Sequence, residues 1–269
     1  MAATTIGIIA IKGGVGKTTT ASNLGAILAR DFGKKVLIVD ANFSAPTLSF
    51  HLGENAPSDT IHDVLTDKIK ISDAIRTHET GGFSYIPGAM MKGYIYPFKL
   101  KKKLDAVKND YDYIILDSSP TLNEELLSAM VASDKLFVVS SPDYPTLSAT
   151  IHAVKTAKEK KTPIVGLVIN KCRNKHFELQ TEEIENATQT PVLAVLPDDV
   201  RILEALAHAM PASMHTPLGN AVVEYRKLAA AIVGEEYEDP RFLSRVKNVF
   251  RREMPKEEAN RLLLRKGFL

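Results

Sequence analysis

The sequence has a single cysteine and lacks an apolar run long enough to cross a bilayer. Cys172 alone cannot build a disulfide framework or a cysteine metal cluster within one chain, which fits a reducing compartment. A membrane-spanning helix needs roughly 20 apolar residues, and no stretch approaches that length. Residues 1–5 contain no basic residue, so we expect no signal peptide.

Most of the chain also lacks an excess of basic residues, although the net charge of the 269 residues is +2. Residues 239–269 hold nine basic and four acidic residues, whereas the rest holds 25 basic and 28 acidic residues. A faintly acidic body is a poor electrostatic footprint for nucleic acid, and the basic C-terminal region is a candidate for an anionic surface. The 45% of hydrophobic residues is enough for a sizeable core.

A glycine-rich loop near the start is the most informative motif that is present. An apolar run at 5–11 leads into Lys-Gly-Gly-Val-Gly-Lys-Thr-Thr at 12–19, and residues 21–29 follow with helical periodicity. Between a strand and a helix, such glycines let backbone N–H groups cradle phosphate oxygens. Lys17 can reach the outer phosphates and the Thr18 hydroxyl can bind Mg²⁺, so the loop predicts binding of a nucleoside triphosphate.

Short apolar strands alternate with helices over the following residues, without an internal repeat or a linker before 234. This alternation predicts an α/β fold with a doubly wound, mostly parallel sheet in three layers. We expect one domain at 1–234 and a basic amphipathic helical tail at 235–269. Within the domain we also predict short helices at 60–66 and 71–78, and a turn-rich, mobile loop at 41–52.

Two of the predicted strands end in a carboxylate, Asp40 and Asp117. The carboxyl ends of parallel strands meet at the edge of the sheet where ligands bind. A single aspartate at a strand end is often only a turn or helix cap. Two of them in a chain that carries the phosphate loop favour a Mg²⁺ site.

The octapeptide at 12–19 resembles the deviant phosphate loop of the MinD/ParA family of P-loop ATPases. Ile11 stands where the general motif has its first glycine, and a second lysine, Lys12, precedes the glycines. The resemblance extends over nearly the whole body. It implies ATP or ADP with Mg²⁺ as cofactors, ATP hydrolysis, and a homodimer that forms when ATP is bound. In that dimer, the position of Lys12 implies contact with the nucleotide of the partner subunit.

The resemblance also assigns further roles in this sequence. Asn170 looks like the family's adenine-contacting asparagine, and Leu196-Pro197-Asp198-Asp199-Val200 looks like the loop that packs on the base. The predicted nucleotide-binding residues are Lys12, Gly13, Gly14, Val15, Gly16, Lys17, Thr18, Thr19, Asn170, Pro197 and Asp198. The predicted metal ligands are Thr18, Asp40 and Asp117, and the predicted catalytic residues are Lys12, Lys17, Asp40 and Asn42.

The segment after Asp40 departs from the family pattern. The family usually has Asp-x-Asp, in which the second Asp orients the attacking water, whereas this chain has Asp40-Ala41-Asn42. An amide can orient water by hydrogen bonding, but it cannot accept a proton and lacks the carboxylate charge. We therefore expect ATP binding and dimerisation with slow intrinsic hydrolysis.

The tail begins with Asp239-Pro240, which suits a helix cap and first turn. One apolar stripe follows, flanked by basic residues: Phe242, Leu243, Val246, Val249 and Phe250. By composition, residues 239–252 form a helix that lies on a membrane, and they resemble the membrane-targeting helix of MinD proteins. A helix docked on the body or on a partner protein is the alternative. A second helix at 257–266 is open to three roles, namely binding a partner, extending the membrane contact or covering the first helix.

These observations favour a MinD-like ATPase, cytoplasmic and peripheral at the inner face of the cell membrane, which positions cellular machinery such as a division site or a polar structure. An activating or cargo protein would be its partner, and nucleic acid is an unlikely one. The alternatives are a ParA-like DNA-partition ATPase and a nucleotide-gated scaffold with negligible turnover. The single cysteine argues against the related iron–sulfur proteins, and the tail lacks the tyrosine cluster of bacterial tyrosine kinases.

Overall fold

The computed structural model describes residues 2–90, 95–241 and 254–268. Its centre is one sheet of eight strands in the order β3-β4-β2-β5-β1-β6-β7-β8. The strands are β1 Thr4–Ile9, β2 Val36–Ala41, β3 Arg76–His78, β4 Phe83–Ile86, β5 Tyr113–Ser118, β6 Lys135–Ser140, β7 Ile164–Cys172 and β8 Val192–Pro197. All neighbouring strands are parallel except β3 and β4, which confirms the predicted mostly parallel α/β sheet.

Helices connect the strands and cover both faces of the sheet. They are α1 Lys17–Arg30, α2 Leu48–His51, α3 Ile61–Leu65, α4 Lys99–Asp105, α5 Glu124–Ala132, α6 Tyr144–Glu159, α7 Thr181–Thr188, α8 Val200–Ala207, α9 Ala212–His215, α10 Asn220–Val233 and α11 Lys256–Arg265. Gly234 ends α10 with a φ of 79°, a left-handed conformation that glycine adopts without strain.

The alternation of side chains along the strands explains the three layers. In β2, Ile38 packs with α1 and α10 on one face, while Leu37 and Val39 pack with α3, α4 and α5 on the other. Because every side chain of β2 is buried, this strand is apolar without interruption until Asp40. The sheet therefore presents its polar residues at the ends of its strands.

The prediction of a helix at 71–78 was wrong. The chain makes a 3-10 turn at Ile71–Ala74 and then forms β3, which pairs antiparallel with β4 at one edge of the sheet. The physical reason is the turn that follows, in which Gly82 has a φ of 67° and lets the chain reverse. A strand that can pair with a returning neighbour gains ladder hydrogen bonds that an isolated short helix lacks.

The helix α11 packs on the body at the opposite edge of the sheet, beside β8 and α10. Asn260 donates a hydrogen bond to the carbonyl of Val192 at 2.8 Å, and Arg261 donates one to the carbonyl of Leu193 at 3.1 Å. Leu264 is only 8% exposed and belongs to the core that α1 and α10 form. The part of the tail that the structure describes after residue 253 thus protects the edge strand β8.

The predicted membrane-binding helix at 239–252 lies mostly outside the described residues. Of that stretch, the structure describes Asp239, Pro240 and Arg241. In the described ranges, no helix combines the length and apolar character that a bilayer crossing requires.

Candidate functional site

The phosphate loop connects β1 to α1 at the carboxyl edge of the sheet. Gly14 and Gly16 have φ values of 76° and 101°, and Gly16 directly precedes the first residue of α1, Lys17. Left-handed conformations cost a residue with a side chain roughly 1–2 kcal/mol, so the loop requires glycine at both positions. The chain thereby turns its backbone N–H groups and the N-terminus of α1 toward one cleft.

The end of β7 holds the loop in this shape. The side-chain amide of Asn170 donates a hydrogen bond to the carbonyl of Val15 at 2.8 Å, and the ammonium of Lys171 donates one to the carbonyl of Gly14 at 2.7 Å. A methyl group built on Gly16 would lie 2.3 Å from the Asn170 amide nitrogen. The sequence did not predict this contact of Lys171, because the end of β7 comes close to the loop only through the order of the strands in the sheet.

Asp40 and Asp117 lie side by side at the ends of β2 and β5, where they are in register. Burial and the neighbouring Asp117 raise the pKa of Asp40 well above its usual value, although three backbone N–H groups lower it. Burial also raises the pKa of Asp117 to about 6, against the lowering effect of the Thr18 hydroxyl and the Lys17 ammonium. Two adjacent buried carboxylates are an arrangement that a bound cation stabilises.

The two carboxylates differ in how their oxygens are used. Asp40 accepts the backbone N–H groups of Asn42, Thr47 and Leu48 at 3.0 to 3.1 Å, so it also fixes the segment that leads into α2. In the described residues no hydrogen bond of ordinary geometry reaches either buried oxygen of Asp117, although the Thr18 hydroxyl lies close enough to lower the pKa of this carboxyl group. Asp117 is therefore the carboxylate with free ligand capacity.

The surrounding donors fit a Mg²⁺-bound phosphate group. The ammonium of Lys17 is buried near Asp117, and burial lowers its pKa while the Asp117 charge raises it. The Thr18 hydroxyl lies 3.2 Å from the Thr47 hydroxyl at the mouth of the same cleft. A magnesium ion would be held by Thr18 and by Asp117, directly or through water, and Asp40 would add a second negative charge beside it.

Asn42 lies in the cleft and is mostly buried. Its amide nitrogen donates a hydrogen bond to the carbonyl of Ala45, and its amide oxygen is buried without a partner among the residues that the structure describes. That oxygen can accept a hydrogen bond from a water molecule. It cannot take up a proton at neutral pH, so the geometry agrees with a residue that orients water without acting as a base.

Lys12 points away from the loop that contains it. Its ammonium lies 3.2 Å from a carboxylate oxygen of Asp143 and 2.5 Å from the hydroxyl of Thr146, both at the start of α6. Hydrogen bonds to Ser141, Thr146 and Lys12 oppose the effect of burial and lower the pKa of Asp143 to about 2. The Lys12 side chain is 42% exposed, and in the described part of the chain it does not line the cleft that Lys17 lines.

The cleft has a volume of about 450 Å³ and brings together residues that are far apart in the sequence. Asn170, Pro197 and Asp198 line it opposite the loop, at the ends of β7 and β8. Since Asn170 binds the loop itself, its contact with an adenine base stays a prediction. The lining also includes residues that the sequence did not predict, among them His51, Ile202, Leu203 and Leu206.

A parallel sheet with a glycine loop, a buried lysine and two buried carboxylates at its carboxyl edge defines a P-loop nucleotide-binding protein. Comparison with known proteins agrees. The family described as "AAA domain" matches residues 3–166. An uncharacterized ATP-binding protein of Methanocaldococcus jannaschii is 32% identical over 87% of this chain and 89% of its own. The sporulation initiation inhibitor protein Soj of Bacillus subtilis is 31% identical over 84% and 97%.

Solved structures show the same likeness. The Pyrococcus furiosus cell division ATPase MinD is 31% identical, covering 84% of this chain and 96% of that one, with a TM-score of 0.79. The septum site-determining protein MinD of Pyrococcus horikoshii, complexed with Mg-ADP, is 27% identical, covering 93% and 100%, with a TM-score of 0.80. The chain belongs to the MinD/ParA family of P-loop ATPases. It is an ATPase, with ATP or ADP and Mg²⁺ as cofactors.

Proposed function

We propose that this ATPase dimerises face to face when it binds ATP and that the dimer associates reversibly with the inner face of the cytoplasmic membrane. There it would position cellular machinery, such as a division site or a polar structure. The observation that carries the dimer is the placement of Lys12. A lysine of the phosphate loop that lies outside its own cleft and is 42% exposed would reach a nucleotide in a second subunit once its contacts with Asp143 and Thr146 open.

The membrane contact is supported by the sequence of residues 239–252. Its apolar stripe begins at Phe242, and its basic residues would each contribute about 1 kcal/mol near an anionic leaflet. In the described part, the backbone N–H of Arg241 donates to Asp239 at 3.0 Å, as at a helix start. One short helix binds lipid weakly, so two helices on a dimer would bind together by avidity. ATP would then control membrane association through dimerisation, and the protein would be cytoplasmic and peripheral.

The turnover of this ATPase would be slow without an activating partner. The support is Asn42, which lines the cleft and whose amide oxygen is buried without a partner in the described ranges. An Asn42→Asp variant restores a carboxylate at this position and should hydrolyse ATP faster than the wild type. Steady-state phosphate release with purified protein, with and without lipid, measures the difference. Equal turnover by the two proteins would refute the assigned role of Asn42.

A DNA-partition ATPase is the second candidate, because the chromosome-partitioning ATPase Soj of Treponema pallidum and the chromosome partitioning protein ParA of Caulobacter vibrioides are each 29% identical to this chain. The net negative body opposes it. A nucleotide-gated scaffold with negligible turnover is the third, and the Asn42 experiment tests it. An activating or cargo protein would be a further partner in each case.

Vesicle flotation and a DNA gel shift, each with and without ATP, separate the first two candidates. The test variant is Phe242→Asp with Phe250→Asp. The matched control is Phe268→Asp, which changes an aromatic side chain that is 74% exposed and follows α11 in the sequence. We expect ATP-dependent flotation with anionic vesicles that the test variant loses and the control keeps. Binding to DNA but not to vesicles would overturn the proposal.

A further inference from the structure

The helix α8 presents an apolar face that nothing in the described part of the chain covers. Val200 and Leu203 are each 64% exposed and Leu206 is 42% exposed, while Ala205 is buried on the opposite side of the helix. Residues at i, i+3 and i+6 of a helix share one face, so the three side chains form a stripe. An exposed apolar stripe of this kind marks a surface to which another segment or molecule binds.

The chain leaves the described structure next to this stripe. Arg241 donates a hydrogen bond to the side chain of Asn220 at 2.5 Å, at the start of α10. The preceding Gly219 lies against Asp199, since a methyl group built on it would be 3.6 Å from the Asp199 carboxylate. Asp199 caps the first turn of α8 by accepting the backbone N–H of Arg201 at 3.1 Å. Arg241, the last residue that the structure describes before 254, therefore lies near the N-terminus of α8.

The chain returns to the body at α11, which contacts α7 and α10. Lys256 forms an ion pair with Glu185 at 2.8 Å, and the side chain of Arg261 is buried against Glu224 at 3.1 Å. Twelve residues, 242–253, connect the two attachments. Both ends of this segment are thus held by the body, which keeps it at a high effective concentration near α8.

The sequence of the segment matches the surface in polarity and charge. Its apolar residues recur at i, i+1, i+4, i+7 and i+8, which gives a second stripe of similar width: Phe242, Leu243, Val246, Val249 and Phe250. Its flanks carry Arg245 and Lys247, and Glu204 of α8 has no ion-pair partner among residues 2–90, 95–241 and 254–268. Helical pairs of this kind bury apolar stripes against each other and pair the charges at the rim.

We propose that the face of α8 formed by Val200, Leu203 and Leu206 is the docking surface for residues 242–250 of the same chain. The docking itself does not depend on membrane binding. Its consequence rests on the proposed function, because the stripe that docks is the one assigned to lipid, so α8 and the bilayer compete for it. Leu203 and Leu206 also line the nucleotide cleft, which places the docking surface in contact with the ATP site.

Cysteine cross-linking of the full-length protein tests the docking directly. Val200→Cys combined with Val246→Cys is the test pair, and Ile151→Cys with Val246→Cys is the control, since Ile151 is an exposed apolar residue of α6. The native Cys172 can stay, because it is buried and burial raises the pKa of its thiol to about 12. A short bis-maleimide and mass spectrometry of the digest give the yield of each cross-link without nucleotide or lipid.

We expect an intramolecular cross-link in the test pair at several times the yield of the control pair, falling when ATP and anionic vesicles are added. Equal yields in the two pairs would overturn the docking, and so would a cross-link between two chains, which would assign the face to a second copy. A high yield that vesicles do not change would support the docking while counting against the membrane function. Val200→Glu provides a second measurement, and we expect it to increase vesicle binding without nucleotide several-fold.

Discussion

The packing of α11 on the body predicts how substitutions in this helix change the stability of the folded protein. The size of that change shows whether α11 is part of the folded body or a tail that does not contact it. Leu264 is 8% exposed and packs into the core between α1 and α10, whereas its neighbour Leu263 is 44% exposed. Leu264→Ala and Leu263→Ala remove the same atoms from the same helix. Alanine is the best helix former, so neither variant weakens α11 through its intrinsic propensity.

The size of the effect follows from burial. Leucine to alanine in a protein core costs about 2–5 kcal/mol, which combines the lost transfer free energy and the cavity left behind. Leu264 lies at the rim of its cluster, so we expect about 2–3 kcal/mol for Leu264→Ala. In a protein of this size each kcal/mol lowers the melting temperature by about 2–4 °C, so we expect a decrease of about 5–10 °C. Leu263→Ala should stay within about 0.5 kcal/mol of the wild type.

Thermal unfolding followed by circular dichroism, together with urea unfolding of the full-length chain, measures both variants. A wild-type melting temperature for Leu264→Ala, or equal decreases for the two variants, would refute the packing of α11 on β8 and α10. The same packing has a practical consequence for the membrane assay. A truncation after Gly234 would remove α11 as well as residues 242–253, so point substitutions in that segment are the cleaner test.

Three further predictions concern the site. Gly16→Ala should weaken ATP binding about tenfold in titration calorimetry, because its left-handed backbone and the nearby Asn170 exclude a methyl group, whereas Gly33→Ala, with a φ of 61° and open space, should leave it unchanged. Asp143→Asn should release Lys12 at a cost in folding stability below about 1 kcal/mol, because both side chains are over 40% exposed. In sedimentation experiments, ATP should then produce dimers of this variant at a lower protein concentration than it does with the wild type. An unchanged dimer fraction would count against the Lys12–Asp143 contact as a restraint on dimerisation. Asp117→Asn should raise the melting temperature of the nucleotide-free protein at pH 7.5. The pKa of Asp117 is raised to about 6, so the charged form of this carboxyl group destabilises the folded state above pH 6. The increase in melting temperature should therefore shrink as the pH is lowered toward 4.

Much of the fold could be predicted from the sequence because its signals are local. Uninterrupted apolar strands such as β2 and β5, each ending in an aspartate, can only be buried in a sheet covered on both faces. Gly234 ends α10 as expected from its position. The edge of the sheet was harder, since the three residues of β3 become a strand only through pairing with β4. Three residues are too few to show the hydrophobic periodicity from which a strand is predicted.

The candidate site divides in the same way. The loop at 12–19 and the two aspartates are contiguous motifs, and the structure brings them to one edge of the sheet. The contacts between distant segments were not predictable, because they depend on strand order and side-chain reach. Lys171 on the carbonyl of Gly14 is one such contact, and Asp143 beside Lys12 is another. The lining by Leu203 and Leu206 is a third, because α8 buries only Ala205 and leaves these two side chains at the cleft.

The structure also changes how residues 242–253 can act on a surface. The sequence suggested a single tail at 235–269, but the body holds the chain both at Arg241, through Asn220, and at Lys256, through Glu185. Twelve residues span about 18 Å as a helix and about 40 Å when fully extended, so the two attachments set the distance that this segment can reach from the body. If it lies on lipid, it must therefore bring the edge of the sheet at β8 close to the bilayer. If it lies on α8, only a short rearrangement separates the two positions, which is the geometry that competition between a docking surface and a membrane requires.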